Sequence, residues 1–252
     1  MTTSATPNGA SSGALRVGLV QMTATRDLRR NISDASGFIR EAAAKGARYV
    51  QTPEVTTLME LDRDRLLAIT GPEQGNAALA AFTVLARDLG IWLHIGSMAV
   101  KVTADRLANR SYVIAPDGGI AARYDKIHMF DGDLPNGESY KESRSYAAGD
   151  KAITVDLPWG RMGLTICYDL RFPQLHRALA QSGAIMIAGP AAFTKTTGEA
   201  HWHTLLAARA IEAQSFVLAA AQTGMHEIGR ATFGHSLVVS PWGKVIADAS
   251  TE

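Results

Sequence analysis

The chain has 252 residues, 46% hydrophobic and 19% charged, the balance of a folded protein with a substantial core rather than a disordered or fibrous one. Lys plus Arg total 25 against 24 for Asp plus Glu, which excludes a nucleic-acid binder that works through bulk positive charge. Cys167 is the only cysteine, so no disulfide staples a single chain, and apolar runs such as Val17–Met22 fall far short of the ~20 residues of a membrane helix.

Met1–Ala14 holds no charged side chain, no signal-peptide core and no Arg-rich transit pattern, and reads as a floppy leader on a soluble, cytosolic protein. Residues 15–252 carry no linker composition and read as a single domain. Arg16–Met22 reads as a buried strand. Asp27–Lys45 reads as a helix stopped by Gly46, with Ile32, Ala35, Phe38, Ile39 and Ala42 on one face. Arg48–Thr52 is a second strand, Asn76–Leu89 a second helix and Ile91–Met98 a third strand. Ser111–Ala115 and Ile120–Arg123 flank the turn Pro116-Asp-Gly-Gly119, a hairpin signal.

Tyr124 to Asp150 loses all periodicity, and a loop of that length in a compact domain is usually functional. Strands follow at Ile153–Leu157 and Arg161–Ile166, then a helix at Leu170–Ser182, in which Pro173 is tolerable only in the first turn. Ala184–Ala188 reads as a strand, Gly198–Gln214 as a helix and Phe216–Ala221 as a strand. His235–Ser240 and Lys244–Asp248 make a last hairpin around Pro241-Trp-Gly243. Strands and helices alternate with hairpins interspersed, which predicts one α/β domain of mixed sheets covered by helices.

Cys167 sits where the strand Met162–Ile166 runs into the following helix. Backbone N–H groups and a helix dipole at such a turn would lower a thiol's pKa and favour a nucleophile. A free cysteine is as often a small buried core residue, and position alone does not choose between the two. Glu54 follows Thr52-Pro53 at the end of an apolar strand, where open α/β folds place their sites, and Lys126 heads the long loop. Each alone fits a solvated surface charge. His201 and His203 lie two apart on a helix and so point to different faces, and no HExxH pattern supports a metal there.

Together Glu54, Lys126 and Cys167, in that order, resemble the Glu–Lys–Cys triad of the nitrilase superfamily of carbon–nitrogen hydrolases. The supporting stretches are Val17–Met22, Thr52-Pro-Glu54, Arg123–His128, Gly163–Pro173, Gly198–Trp202 and Arg209–Glu212, so the resemblance covers Leu15 onward. The last third, with Ala219–Gln222 and Phe233–Gly243, looks closest to the Nit amidase branch. The fold this implies is a four-layer α-β-β-α sandwich that forms a homodimer or a higher homo-oligomer. Members usually run on past Glu252 with another strand and an arm reaching the partner, so the resemblance implies either a truncated chain or one lacking that tail.

The resemblance further implies a cysteine-dependent amidase that cleaves a linear amide to a carboxylate and ammonia through a thioester, with no metal or organic cofactor. Glu54 would be the general base and Cys167 the nucleophile, with Lys126 and the backbone N–H of Tyr168 holding the oxyanion. Glu142 matches the family's second glutamate, and Glu138 lies four residues too early. Arg171, four residues after the nucleophile, would anchor a substrate carboxylate; the alternative is an internal salt bridge to Asp169 or Glu199. Phe193 and Thr197 match pocket walls of the same branch, whereas Trp159, Trp202 and Trp242 read as structural. The implied substrate is deaminated glutathione or a related α-keto ω-amide. The rival readings are an N-carbamyl amino acid amidohydrolase, a nitrilase, or a non-catalytic scaffold that kept the fold.

Overall fold

The computed structural model describes residues 14–251, so the leader expected up to Ala14 lies, but for its last residue, outside the described residues. Among the described residues there are fifteen strands and five α-helices. One sheet has the order β1-β2-β3-β4-β5, from Val17–Leu19, Tyr49–Gln51, Trp92–Lys101, Leu107–Ile114 and Ile120–Asp125. The other runs β15-β14-β11-β10-β9-β8, from Val245–Asp248, Leu237–Val239, Phe216–Ala219, Met186–Ala188, Gly160–Leu164 and Thr154–Leu157. Two hairpins stand apart, β6–β7 (Asp131–Asp133, Ser139–Lys141) and β12–β13 (Thr223–Met225, Ala231–Phe233).

In each sheet three adjacent strands are parallel and joined through helices: β1, β2 and β3 in one, β9, β10 and β11 in the other. Such strands are buried on both faces, and side chains alternate between them. In β2, Tyr49 enters the core between the sheets while Val50 packs toward α1 (Leu28–Ala44) and α3 (Ala77–Leu89). Tyr49, Val113 and Tyr124 of the first sheet share this core with Val155 and Met162 of the second. The second sheet's outer face is covered by Leu179 of α4 (Pro173–Gln181) and by Trp202 and Leu206 of α5 (Lys195–Ala213). The result is the four-layer α-β-β-α sandwich. Within it the Tyr49 hydroxyl lies 2.8 Å from His94 Nδ1 and 3.2 Å from Met162 Sδ, and burial pushes His94 down to about 3, so its imidazole is neutral.

Local signals set the helix ends. Asp27 caps α1 by accepting from the N–H groups of Arg29 and Arg30, Asn76 caps α3, and Gly90 ends α3 in the left-handed region at φ 63°. Several expectations need correction. The helix expected over Leu170–Ser182 is a 3-10 turn at Cys167–Arg171 followed by α4, which starts with Pro173 in its first turn, where a missing N–H costs nothing. On α1, Phe38 is 42% exposed, whereas Asn31 is fully buried on the core face. Its amide binds the Thr25 backbone at both ends and the Thr57 carbonyl, so it ties α1 to the segment after β2. Trp242 is 90% exposed and pins no turn onto a core. Helix α2 (Arg63–Ile69) and the β12–β13 hairpin carry too little apolar pattern for their length to be foreseen.

Candidate active site

Three strand ends converge. Glu54 follows β2, Lys126 follows β5 and Cys167 follows β9. Val55, in the left-handed region at φ 51°, turns the chain sharply after Glu54, and its N–H is held by Ser97 Oγ at 2.9 Å. Gln222 Nε2 donates to the Glu54 carbonyl at 3.0 Å. Cys167 has φ 49°, a strained geometry for a non-glycine residue, and its N–H donates to the Pro190 carbonyl at 2.9 Å. Gly96 of β3 lets these ends approach: a Cβ there would stand 2.1 Å from the Thr52 carbonyl oxygen and 2.5 Å from both Pro190 Cβ and the Pro53 carbonyl. Gly96→Ala should therefore lower stability by about 1–3 kcal/mol and displace Glu54, reading out as a lower Tm together with a lower kcat. An unchanged Tm would mean that the strand ends are not packed this tightly.

The side chains form one buried polar cluster. Lys126, 2% exposed, donates from Nζ to Glu54 Oε1 at 2.8 Å and to Glu142 Oε1 and Oε2 at 3.0 and 2.9 Å. Glu54 Oε2 accepts from the Ala192 N–H at 2.9 Å, and Glu142 Oε2 accepts from the Phe130 N–H at 2.6 Å. Asn109 Nδ2 bridges the carboxylates, 3.0 Å from Glu54 Oε1 and 3.2 Å from Glu142 Oε1. The Cys167 thiol is in hydrogen-bonding contact with Glu54 and faces the Ala192 N–H.

Charge states follow from this packing. Burial opposes the Lys126 ammonium, but the flanking Glu142 and Glu54 carboxylates outweigh it and hold its pKa well above the usual lysine value. Burial also opposes ionisation of Glu54, and Lys126 overcomes it, keeping that carboxyl below its ordinary range. The thiol goes the other way. Burial and the negative charge of Glu54 push Cys167 well above a free thiol, against the counterpull of Lys126. This corrects the expectation of a lowered thiol pKa. Only a short 3-10 turn starts at Cys167, so there is little helix dipole, and a carboxylate is its neighbour. The resting pair is a neutral thiol beside a carboxylate, with proton transfer left to the moment of attack.

The remaining candidates sort clearly. Arg171 forms no ion pair with Asp169 or Glu199; its guanidinium lies 5.9 Å over the Tyr168 ring and 5.5 Å over the Phe193 ring, with Nη2 3.2 Å from His201 Nδ1. It lines a small cavity with Cys167, Tyr168, Phe193 and Thr197. Asp169 instead accepts from the Tyr124 hydroxyl at 2.6 Å and the Ile166 N–H at 2.9 Å, and sits 2.7 Å from His128 Nδ1, tying the turn after Cys167 to the segment that carries Lys126. Glu138 stays on its hairpin and accepts from the Tyr140 hydroxyl at 3.0 Å. Trp202 is buried, donating Nε1–H to the His235 carbonyl at 2.9 Å. His201 and His203 do part company: His203 turns to Asp248, which also meets His235, a half-exposed cluster among whose ring and carboxylate atoms a metal ion would fit. None of these three residues lines the cavities at Cys167.

Two residues at the cavity were not anticipated. Asn109 gave no distinct signal, standing beside Arg110 and Ser111 in a stretch of mixed polarity, Leu107–Ile114. Arg230 had none; it precedes β13 and reaches the cavity wall beside Ala192, to whose carbonyl it donates. The main cavity has a volume of about 640 Å3 and runs from Glu54, Lys126 and Cys167 outward past Tyr140 and Arg63.

The family model for carbon-nitrogen hydrolases matches residues 16–252. The chain is 39% identical over 239 residues to deaminated glutathione amidase of Bos taurus, covering 93% of this chain and 73% of that protein. It is 41% identical over 235 residues to the Yersinia enterocolitica protein of the same name, covering 91% of this chain and 81% of that one. The crystal structure of the C. elegans NitFhit protein superposes with a TM-score of 0.86 at 39% identity, over 94% of this chain and 58% of that longer one.

Proposed function

The chain belongs to the carbon–nitrogen hydrolase family, and from that premise we propose that it hydrolyses an amide through a thioester on Cys167, with residues 15–252 acting as one catalytic domain. The observation that carries this is the buried cluster of Cys167, Glu54, Lys126 and Glu142 at the floor of one cavity. Glu54, ionised and touching the thiol, takes its proton as the sulfur attacks the amide carbon. Lys126 and the Tyr168 N–H hold the developing oxyanion, a service worth about 2.7–4 kcal/mol per donor. The Glu54 carboxylic acid then protonates the departing nitrogen. Water enters and attacks the thioester carbon as Glu54 takes its proton; the C–S bond breaks, the carboxylate product leaves, and Glu54 returns the proton to the Cys167 sulfur. Glu142 and Asn109 position Lys126 and Glu54.

The substrate we propose is deaminated glutathione or a related α-keto ω-amide, since the relatives are named deaminated glutathione amidase and Arg171, beside Cys167, pairs with no carboxylate among the described residues. Both amide nitrogens of glutathione are substituted, so from deaminated glutathione the leaving group is an amine rather than the ammonia first expected; ammonia leaves only from a primary ω-amide. The test is mass spectrometry of the acid and amine released from each compound, and no release from either would overturn the reading. Phe193 and Thr197 wall the acyl pocket with Arg171. Arg171→Lys keeps the charge and loses the fork, so kcat/KM should fall about tenfold or more, as a charged hydrogen bond is worth roughly 1.5–3 kcal/mol. Equal hydrolysis of the acid and its methyl ester by the parent enzyme would remove Arg171 from carboxylate recognition and move the substrate toward a neutral amide or nitrile.

We place the protein in the cytoplasm as a homodimer. No helix among the described residues is long and apolar enough to cross a membrane, and Ile211 and Trp242 expose apolar surface beside Gly243. Light scattering on the eluted protein measures the dimer directly.

A further inference from the structure

Arg230 is a half-buried cation with no carboxylate within ion-pairing distance among the described residues. Its backbone is held at the turn of the β12–β13 hairpin, where the His226 N–H donates to the Arg230 carbonyl at 2.9 Å. His226 is itself buried, with Nδ1 2.8 Å from the Ala24 carbonyl oxygen and Nε2 2.8 Å from Thr232 Oγ1, so the hairpin cannot drift. One guanidinium nitrogen donates to the Ala192 carbonyl, and the group lies 5.0 Å over the Tyr140 ring. Its Nε is shielded from solvent and has no partner. Among the described residues no carboxylate forms an ion pair with it, whereas half-buried Arg110 has Glu73 and Asp125, and buried Arg209 has Glu212. A desolvated donor left unmade is costly, and a binding site is where such a group is retained, to be satisfied by ligand.

Its place decides which ligand group. Arg230 lines both cavities that meet at Cys167, whereas Arg171 lines only the small one. If the acyl chain and its carboxylate lie against Arg171, the amide nitrogen faces the larger cavity. Ammonia needs no room there, yet about 640 Å3 is present, enough for an amine of dipeptide size. Of the other cations that line this cavity beyond Lys126, Arg63 is held by the Arg144 and Asp105 carbonyls, at 3.2 and 3.1 Å, and Lys141 and Arg144 are exposed to solvent. Inside, the carboxylates of Glu54 and Glu142 leave the triad with one negative charge in excess of Lys126. An anionic amine would be repelled unless a cation beyond Lys126 received it.

We propose that Arg230 forms a second anion subsite, on the leaving-group side of Cys167, which reads a carboxylate on the amine product, so that the preferred substrate carries a carboxylate on each side of the scissile bond. The assignment rests on the amidase reading above. Arg230 is on this account a specificity residue, and it touches no reacting atom.

The experiment compares three substrates sharing the 2-oxoglutaryl group: deaminated glutathione, the same compound with its terminal carboxylate made a carboxamide, and the primary ω-amide. The parent enzyme should favour the carboxylate over the carboxamide by tenfold or more in kcat/KM, chiefly through KM. In Arg230→Gln that ratio should fall to about one, and Arg230→Lys should restore part of it. A parent enzyme indifferent to the terminal carboxylate overturns the subsite while leaving the amidase reading intact. A variant whose kcat/KM falls equally for all three, with the ratio kept, places Arg230 on the acyl side and overturns it too. Should Arg230→Gln fail to fold, the parent ratio and its decline with added salt still decide the matter. Hydrolysis of none of the three substrates is the separate failure, that of the amidase reading.

Discussion

Cys167→Ala should abolish hydrolysis while the fold persists. The thiol is the one group in the cluster that can become an acyl carrier, and it is in contact with the carboxylate that would deprotonate it. The sulfur is a small part of an apolar cluster that includes Leu164, Ile166 and Leu170, so its loss should cost about 1 kcal/mol of stability or less. Retention of more than a few per cent of parental turnover in a pure sample sinks the thioester mechanism. Cys167→Ser should be nearly as inactive, because a hydroxyl is far harder to ionise than a thiol already held in its neutral form.

Lys126→Met should cut turnover by two orders of magnitude or more, the usual cost of losing an oxyanion donor. It carries a second signature. In the parent enzyme Glu54 must be ionised to act as base, and Lys126 keeps its pKa below the ordinary carboxylate value, so activity persists as pH falls until that depressed pKa is crossed. Without the ammonium, burial dominates and raises Glu54, with Glu142 adding like charge across Asn109. The acid limb of kcat/KM for residual activity should therefore move to higher pH. An acid limb that stays in place would mean that Lys126 does not set the ionisation of Glu54. A variant that loses its fold and keeps its specific activity would remove the lysine from the mechanism altogether.

Much of the architecture was legible because it is written locally. Asp27, Asn76 and Gly90 mark helix ends by their own hydrogen bonds or backbone freedom, and the strand cores of β2, β9 and β10 are short apolar runs bounded by breakers. The long segment from Tyr124 to Asp150 was legible only as irregular: β5 continues through Asp125, and the β6–β7 hairpin and the turn at Glu142 have no periodicity, since they are held by single contacts such as Ser143 to Asp131. At Phe38 and Asn31 the apolar period misjudged the face, because the buried amide of Asn31 is satisfied by backbone groups of Thr25 and Thr57 that lie outside the helix.

The sequence by itself determined the order and chemistry of the site, a glutamate and a cysteine each set at the end of an apolar strand and a lysine at the head of the long loop, and with them the family. The tertiary structure alone decided what those groups are electrically and who stands with them. The thiol is raised rather than lowered because β9 and β2 bring Cys167 against Glu54 in a buried space, a proximity across more than a hundred residues that no local pattern encodes. Asn109 and Arg230 enter for the same reason. Each is an ordinary polar residue along the chain, and each acquires its meaning only when folding removes water from around it and leaves its donors facing the cavity.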